Sequence, residues 1–457
     1  MGSISLALIN TYDMTELLAS HLIESALSDC NPLKRIYIGY SGGIDSHVLL
    51  HLCAAHPKLK PLVTAVYVHH GLQVAADAWA EHCQKTASLL GVHCQVLRVN
   101  AKPSLGESPE EAARNARYTA LKVLMNSDDV LLVAQHRDDQ LETVLLQLLR
   151  GGGLPGLSAM PECTAFGLGR LLRPLLNSSK SAIDTYAQTH GLNWVEDPSN
   201  QSHDYDRNYL RNAILPLLKQ RWPACDKTVA RSARHCADAQ VVISAVSEQL
   251  FLQVFNSDDQ TLIISQLRSF QTHEQALIIR HWFQHFTLKM PSSAFVARVQ
   301  SEIINTRLDS DPIVARQHYC VRRYRDKLYC LPTLMPSQLA AVVWPTGQLS
   351  LTLSNQQVLT WSAASTGINR ALWQASTIKV CARQGGEKIR LPRRSGHHTL
   401  KKLFQELDIP TWQRETLPLI YLDGQLAAVA DLWVSADFYS EEPGNCLTLR
   451  LQSSLKR

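Results

Sequence analysis

Ile36-Tyr37-Ile38-Gly39-Tyr40-Ser41-Gly42-Gly43-Ile44-Asp45-Ser46-His47-Val48-Leu49-Leu50-His51-Leu52 decides the fold. Its first five residues form an apolar run of strand character. Its last six have helical character, and small residues join the two. Two glycines let the backbone turn tightly and bring its N–H groups against a bound anion. The helix that follows aims its partial positive end at the same place. Ser41 and Ser46 add hydroxyl donors. Asp45 does not suit a bare anion nest, because a carboxylate repels phosphate; it suits one in which a divalent cation lies between them. Ser41, Gly42, Gly43, Ile44, Asp45 and Ser46 therefore predict a pyrophosphate and Mg²⁺ site. No Gly-Lys-Ser/Thr follows, so this is not a Walker A loop.

Outward from that loop, residues 34 to about 135 alternate strand and helix. Pro61 to Val68 is a buried strand, Ala75 to Leu90 has helical spacing and stops at Gly91, and Val92 to Val99 is strand-like again. Ser108-Pro109-Glu110-Glu111 is a capping box with proline at N1, opening a helix to about Met125. Val130 to Ala134 is a short apolar strand. The expected fold is α/β, a parallel sheet with helices on both faces, whose ligands bind beyond the carboxyl ends of the strands. Asp197-Pro198-Ser199-Asn200 marks a loop, and a helix rich in Arg and Asn follows it from Asp206 to Arg221. From Trp222 the pattern turns helical, with a long amphipathic stretch from Lys227 to Leu252. Pro332, Pro336, Pro345 and Gly347 read as linker punctuation. The expected domains are 1–221, an α-rich domain over 222–345, and a small α+β domain over 371–457.

A second loop, Gln135-His136-Arg137-Asp138-Asp139-Gln140-Leu141-Glu142, follows the Val130 strand and so should reach the same rim. Asp139 and Glu142 are three apart and share a helix face. Acids at a helix N-terminus are partly explained by the helix dipole; three of them beside His136 and a phosphate loop favour metal binding and substrate positioning.

Ser41 to Ser46 resembles the SGGxDS loop of the N-type ATP pyrophosphatases, an adenine nucleotide α-hydrolase-like fold. The stretch QHRDDQLETVLLQLLRGGGLPGL (135–157) resembles the HHxDDQxET…RGxGxxGL signature of the tRNA(Ile)-lysidine synthetase family, with Gln135 in place of its first histidine. Val68-His69-His70-Gly71-Leu72, Glu111 to Tyr118, Trp194 to Asn200 and Arg207-Asn208-x-x-Arg211 resemble further segments of that family, in order. So does the C-terminal stretch from Gly386. The resemblance implies that ATP adenylates C2–O of the wobble cytidine C34 in a CAU-anticodon tRNA(Ile), that free L-lysine displaces AMP, and that the product, lysidine, reads AUA. It implies phosphate binding by the Ser41 loop and Mg²⁺ on Asp45, Asp138 and Asp139. Glu142 would position or deprotonate the lysine, and Arg114, Arg117, Arg207 and Arg211 would contact the adenylate or the RNA.

The 457 residues carry 45 Lys+Arg against 40 Asp+Glu, too even to indicate nucleic acid by itself, so local clusters must carry that argument. Arg322, Arg323 and Arg325 interleave with tyrosines; Arg390, Arg393, Arg394, Lys401 and Lys402 form a denser group. Both are expected to contact RNA phosphates. The eleven cysteines include no C-x-x-C, which argues against a sulfur-transfer enzyme and for reduced thiols. No apolar run approaches a membrane span and the N-terminus lacks a basic n-region, so a cytoplasmic enzyme using ATP and Mg²⁺ is expected. The composition leaves room for a homodimer. An ammonia-using synthetase of the GMP or NAD type would not need two basic C-terminal domains. The intact acidic set argues against an RNA-binding relic.

Overall fold

The structure is a computed structural model describing residues 18–71, 76–103, 109–307, 312–333 and 339–452. The chain divides into two compact units, residues 1–246 and 247–457. Among the described residues no helix is long and apolar enough to cross a membrane.

The first unit is a six-stranded sheet with helices on both faces. In chain order its elements are α1 (His21–Leu27), β1 (Arg35–Gly39), α2 (Ile44–Ala54), β2 (Val63–His69), α3 (Ala76–Leu89), β3 (His93–Arg98), α4 (Pro109–Leu124), β4 (Asp129–Leu132), α5 (Arg137–Leu149), α6 (Leu154–Leu157), β5 (Cys163–Phe166), β6 (Gly169–Leu172) and α7 (Lys180–Thr189). The strand order is β3-β2-β1-β4-β6-β5; all neighbours are parallel except the edge pair β5–β6. The central strands are buried on both faces, as their continuous apolar runs require. Val48, Leu49, Leu50 and Ile183 pack on one face; Leu121, Met125 and Phe166 pack on the other. The strand order reverses between β1 and β4, and the two acidic loops leave the carboxyl ends of those two neighbours, where such sheets hold ligands. The cap read at Ser108, and Leu72 of the VHHGL segment, lie outside the described residues; the helix itself begins at Pro109.

After α7, residues 206–221 form one helical run: α8 (Asp206–Tyr209), a π-helical segment (Leu210–Ile214) and α9 (Leu215–Arg221). Pro216 accounts for the wide turn. It has no N–H to offer the carbonyl four residues back, and its ring would collide there; one extra residue relieves both. Helix α10 (Cys225–Val254) follows, matching the long amphipathic stretch and crossing the boundary between the units.

The second unit contains antiparallel sheets. β7 (Phe255–Asn256), β8 (Thr261–Ile263), β9 (Ile313–Ala315), β10 (Tyr319–Tyr324) and β11 (Lys327–Pro332) join in the order β7-β8-β11-β10-β9 and pack on helices 272–285 and 293–298. The stretch read as a linker does not behave as one. Strand Val342–Trp344 pairs with Ile378–Cys381, and Val358–Ala364 pairs along its whole length with Cys446–Gln452. Trp344 is buried edge-on against Trp373. Pro345 and Gly347 lie between the strands Val342–Trp344 and Ser350–Thr352, and Pro332 ends β11; Pro336 lies outside the described residues.

Candidate active site

The loop after β1 folds around its own serines. Ser41 N–H donates to Ser46 Oγ (3.2 Å), Ser46 Oγ donates to the Gly43 carbonyl (2.9 Å), and the two hydroxyls lie 3.1 Å apart. Gly42 has φ +82°, a conformation that L side chains rarely adopt, and a Cβ there would stand 3.0 Å from Cys83 Sγ. Ile44, Asp45 and Ser46 form the first turn of α2, whose N–H groups have no intrahelical acceptor. The loop is thus an anion cradle at the N-terminus of an eleven-residue helix.

The second loop meets it. His136 caps α5: its Nδ1 accepts from Asp138 N–H (3.2 Å), and Asp139 Oδ2 accepts from His136 N–H (2.9 Å). With Nδ1 accepting, the ring proton sits on Nε2, which faces Asp45 Oδ2 at 3.7 Å and Asp139 Oδ2 at 3.5 Å. Two carboxylates from two loops therefore converge on one imidazole nitrogen. Burial pushes the Asp45 carboxyl up, but His136 and Lys180 outweigh it and hold it down at about 2. Burial opposes charge on His136; the hydrogen bond to Asp45 and the charges of Asp139 and Asp45 prevail, and its pKa lies above the ordinary value.

Each acid has a basic partner. Glu142 is fully buried and accepts from Arg207 Nε (2.7 Å), Arg211 Nε (2.6 Å) and Arg211 Nη2 (2.9 Å); Asp139 Oδ1 accepts from Nη2 of both arginines (3.3 and 3.1 Å). Asp138 turns away from this pair to Lys219, and its Oδ1 is buried without a partner. The expectation that Glu142 deprotonates an incoming amine meets this geometry badly. A carboxylate holding three guanidinium N–H groups is occupied in orienting those arginines.

The RNxxR motif divides its labour by face. Arg207 and Arg211 face the acids, while Asn208 and Asn212 donate to the carbonyls of Ser199 and Asn200 (2.9 Å each), clamping the DPSN loop whose turn Asp197 caps. Gly151, at φ +69°, and Gly152, donating to the Gln147 carbonyl, end α5 as a glycine helix stop. Arg114 and Arg117 lie on α4 with their guanidinium groups over the Tyr118 ring, at 5.1 and 5.5 Å. Lys180 was not singled out from sequence: its Nζ reaches Asp45 Oδ1 (2.6 Å) and Asp184 (3.1 Å). Its only sequence signal is its place at the start of a helix after β6, on the same rim as Asp45.

In the second unit the two arginine clusters are largely occupied. Arg323, expected on RNA phosphates, is 2% exposed and donates to the carbonyls of Arg325, Ile303 and Thr306. Adjacent strand residues point to opposite faces, so Arg322 and Arg323 could not both face outward. Arg322 lies 4.5 Å over the Trp412 ring, and Arg325 pairs with Asp408. Arg390, Arg393 and Arg394 pair with Asp437, Glu441 and Glu406, all on the surface, where such pairs exchange readily for other anions. Lys401 and Lys402 are exposed.

The chain is similar to known proteins along most of its length. A PP-loop domain model matches residues 14–218, a TilS substrate binding domain model matches 262–329 and a TilS substrate C-terminal domain model matches 378–451. The tRNA(Ile)-lysidine synthase of Methylococcus capsulatus is 39% identical over 420 residues, covering 91% of this chain and 96% of its own. Those of Alkalilimnicola ehrlichii and Photobacterium profundum are each 38% identical over 436 residues, covering 94% and 93% of this chain and 95% and 98% of their own.

Proposed function

Because the chain belongs to the tRNA(Ile)-lysidine synthase family, we propose that it joins free L-lysine to C2 of the wobble cytidine C34 of a CAU-anticodon tRNA(Ile), in the cytoplasm. The cytidine O2 attacks the α-phosphorus of ATP and pyrophosphate leaves. The neutral ε-amine of lysine then attacks C2, AMP leaves with the former O2, and the amine proton is lost. The observation that carries this reading is the meeting of Asp45 and Asp139 at His136 Nε2, beside the Ser41 cradle.

Mg²⁺ fits that pair. It commonly takes one or two protein carboxylates and completes its shell with phosphate oxygens and water. Among the described residues no three His, Cys, Asp or Glu groups form a protein-only metal site. Asp45 and Asp139 would hold the ion; Asp138, turned to Lys219, would not. The ion would neutralise charge on the departing pyrophosphate. Ser41, Ser46 and the first-turn N–H groups of α2 bind phosphate oxygens. Glu142 holds Arg207 and Arg211 in place, and those guanidinium groups face the adenylate. The exposed cations of the second unit, Lys401, Lys402 and Arg393 among them, take the tRNA backbone.

ATP–pyrophosphate exchange with transcribed tRNA tests the first step: Asp45→Ala should abolish it, and unchanged exchange removes the proposed role of Asp45. Lysine incorporation tests acceptor choice: equal labelling of tRNA(Ile) and elongator tRNA(Met), both with CAU anticodons, contradicts the proposed substrate.

A further inference from the structure

Arg173 stands one residue past the carboxyl end of β6, on the rim where the acidic loops gather, and is 8% exposed. Its Nε donates to Gln135 Oε1 (2.7 Å) and its Nη1 to the Pro161 carbonyl (2.7 Å). Both acceptors are neutral. Among the described residues no carboxylate forms an ion pair with it. Burial disfavours its charge, Tyr118 opposes that, and the cation Arg114 nearby adds to it, so its pKa lies below the ordinary value. A recessed guanidinium without a counter-charge is strongly unfavourable unless something supplies one. Gln135, which aims this cation, directly precedes His136, the residue at which Asp45 and Asp139 meet.

The anion it suits is small. A recessed, planar guanidinium takes a carboxylate in a two-point fork, whereas a polyanion is met by exposed cations. Resting on the function proposed above, we propose that Arg173, aimed by Gln135, binds the α-carboxylate of the lysine substrate, with Arg114 adding to the positive field. Lysine carries its reacting amine at the other end of a flexible four-carbon stem. Held by its carboxylate at Arg173, it can extend that amine toward the acidic loops. Glutamine at 135, where the family motif has histidine, is an acceptor whose state does not change with pH.

The test compares L-lysine with lysinamide, in which the carboxylate becomes a neutral amide, in tRNA modification by the full-length enzyme. Wild type should show a KM for lysinamide roughly 10- to 100-fold above that for lysine, the worth of a charge-assisted pair. Arg173→Met should raise the lysine KM by that factor and leave lysinamide where it was, so the discrimination collapses. Should that variant fold poorly, Gln135→His reads the same contact. Measured against wild type, which carries the same titrating His136, its discrimination should hold at alkaline pH and fade as the new imidazole protonates near pH ~6.5, a difference that loss of packing would not produce. Retained discrimination in Arg173→Met, or in Gln135→His across that range, overturns the proposal. So does a raised tRNA KM in ATP–pyrophosphate exchange by Arg173→Met, which would assign Arg173 to phosphate. Absence of any lysine incorporation by wild type removes the proposed function and this subsite together; incorporation without discrimination removes the subsite alone.

Discussion

Glu142→Gln separates a carboxylate that holds the site together from one that abstracts a proton. Glu142 has no exposure and its two oxygens take three guanidinium N–H groups. Glutamine keeps one oxygen and puts an NH₂ group where the other stood. In either orientation a donor then faces a donor, and at least one charge-assisted hydrogen bond, about 1.5–3 kcal/mol, is lost. Two guanidinium groups are left to share Asp139. Removing one partner of a buried ion pair costs about 3–5 kcal/mol. Arg207 and Arg211 keep 24% and 41% exposure and can recover some hydration, so the lower end, about 3 kcal/mol, is expected. The loss should be local to the helical run tethered by these bonds. Hydrogen–deuterium exchange of peptides spanning 206–214 in the full-length protein should accelerate by about 100-fold. ATP–pyrophosphate exchange and lysine transfer should both fall, because the proposed adenylate that these arginines would face is common to both steps. Unchanged amide protection with intact exchange and lost lysine transfer would refute this reasoning and restore Glu142 as the base.

Gly42→Ala forces a side chain into a left-handed conformation, costing about 1–2 kcal/mol, and drives its Cβ to 3.0 Å from Cys83 Sγ; ATP affinity measured by calorimetry should drop at least ~10-fold, and an unchanged affinity would remove the loop from the nucleotide site. His136 titrates above its ordinary value because Asp45 and Asp139 favour its charge. A raised pKa stabilises the fold fully below pH ~6.5, and that contribution is lost as pH rises through the folded-state value; NMR titration should show the shift, and Asp45→Asn should lower the His136 pKa. The Asp45 contribution has the opposite sign: a carboxyl held at about 2 stabilises above its unfolded value and loses that only as pH falls toward 2. Arg323→Met should weaken the second unit by about 2–4 kcal/mol in denaturant unfolding, through three carbonyls left without their donor; a variant that folds normally yet loses tRNA binding would return Arg323 to the RNA surface.

The parallel sheet and its two acidic loops were legible because their signals are local: apolar runs, glycine stops and a helix-face spacing that put Asp139 and Glu142 together. What that face meets was not legible. Arg207 and Arg211 lie more than sixty positions away, and Lys180 is 135 positions from Asp45. No periodicity announces such contacts. The arginine-rich strand shows the limit from the other side. Alternation requires Arg322 and Arg323 to face opposite ways, but only the packing of Ile303 and Thr306 carbonyls decides which one turns inward. The strands Val342–Trp344 and Ser350–Thr352 are three residues each with Pro345 and Gly347 between them, and the segment's long-range partners come from residues 378–381 and 446–452, so it resembled a linker.

The wide turn at Leu210–Ile214 sets the phase of everything after it. Arg207 and Arg211 reach Glu142 and Asp139 at or before the turn, while Lys219, beyond it, reaches Asp138. A helix rotates about 100° per residue, so the single extra residue determines which way the second half of the run points. Deleting one residue here would not shorten the helix harmlessly. It would swing Lys219 away from Asp138 and leave that half-buried acid without its cation, while both arginines kept their grip. The bulge is a dial with one working setting: with it, the helical run that holds Asp139 and Glu142 also brings a cation to Asp138.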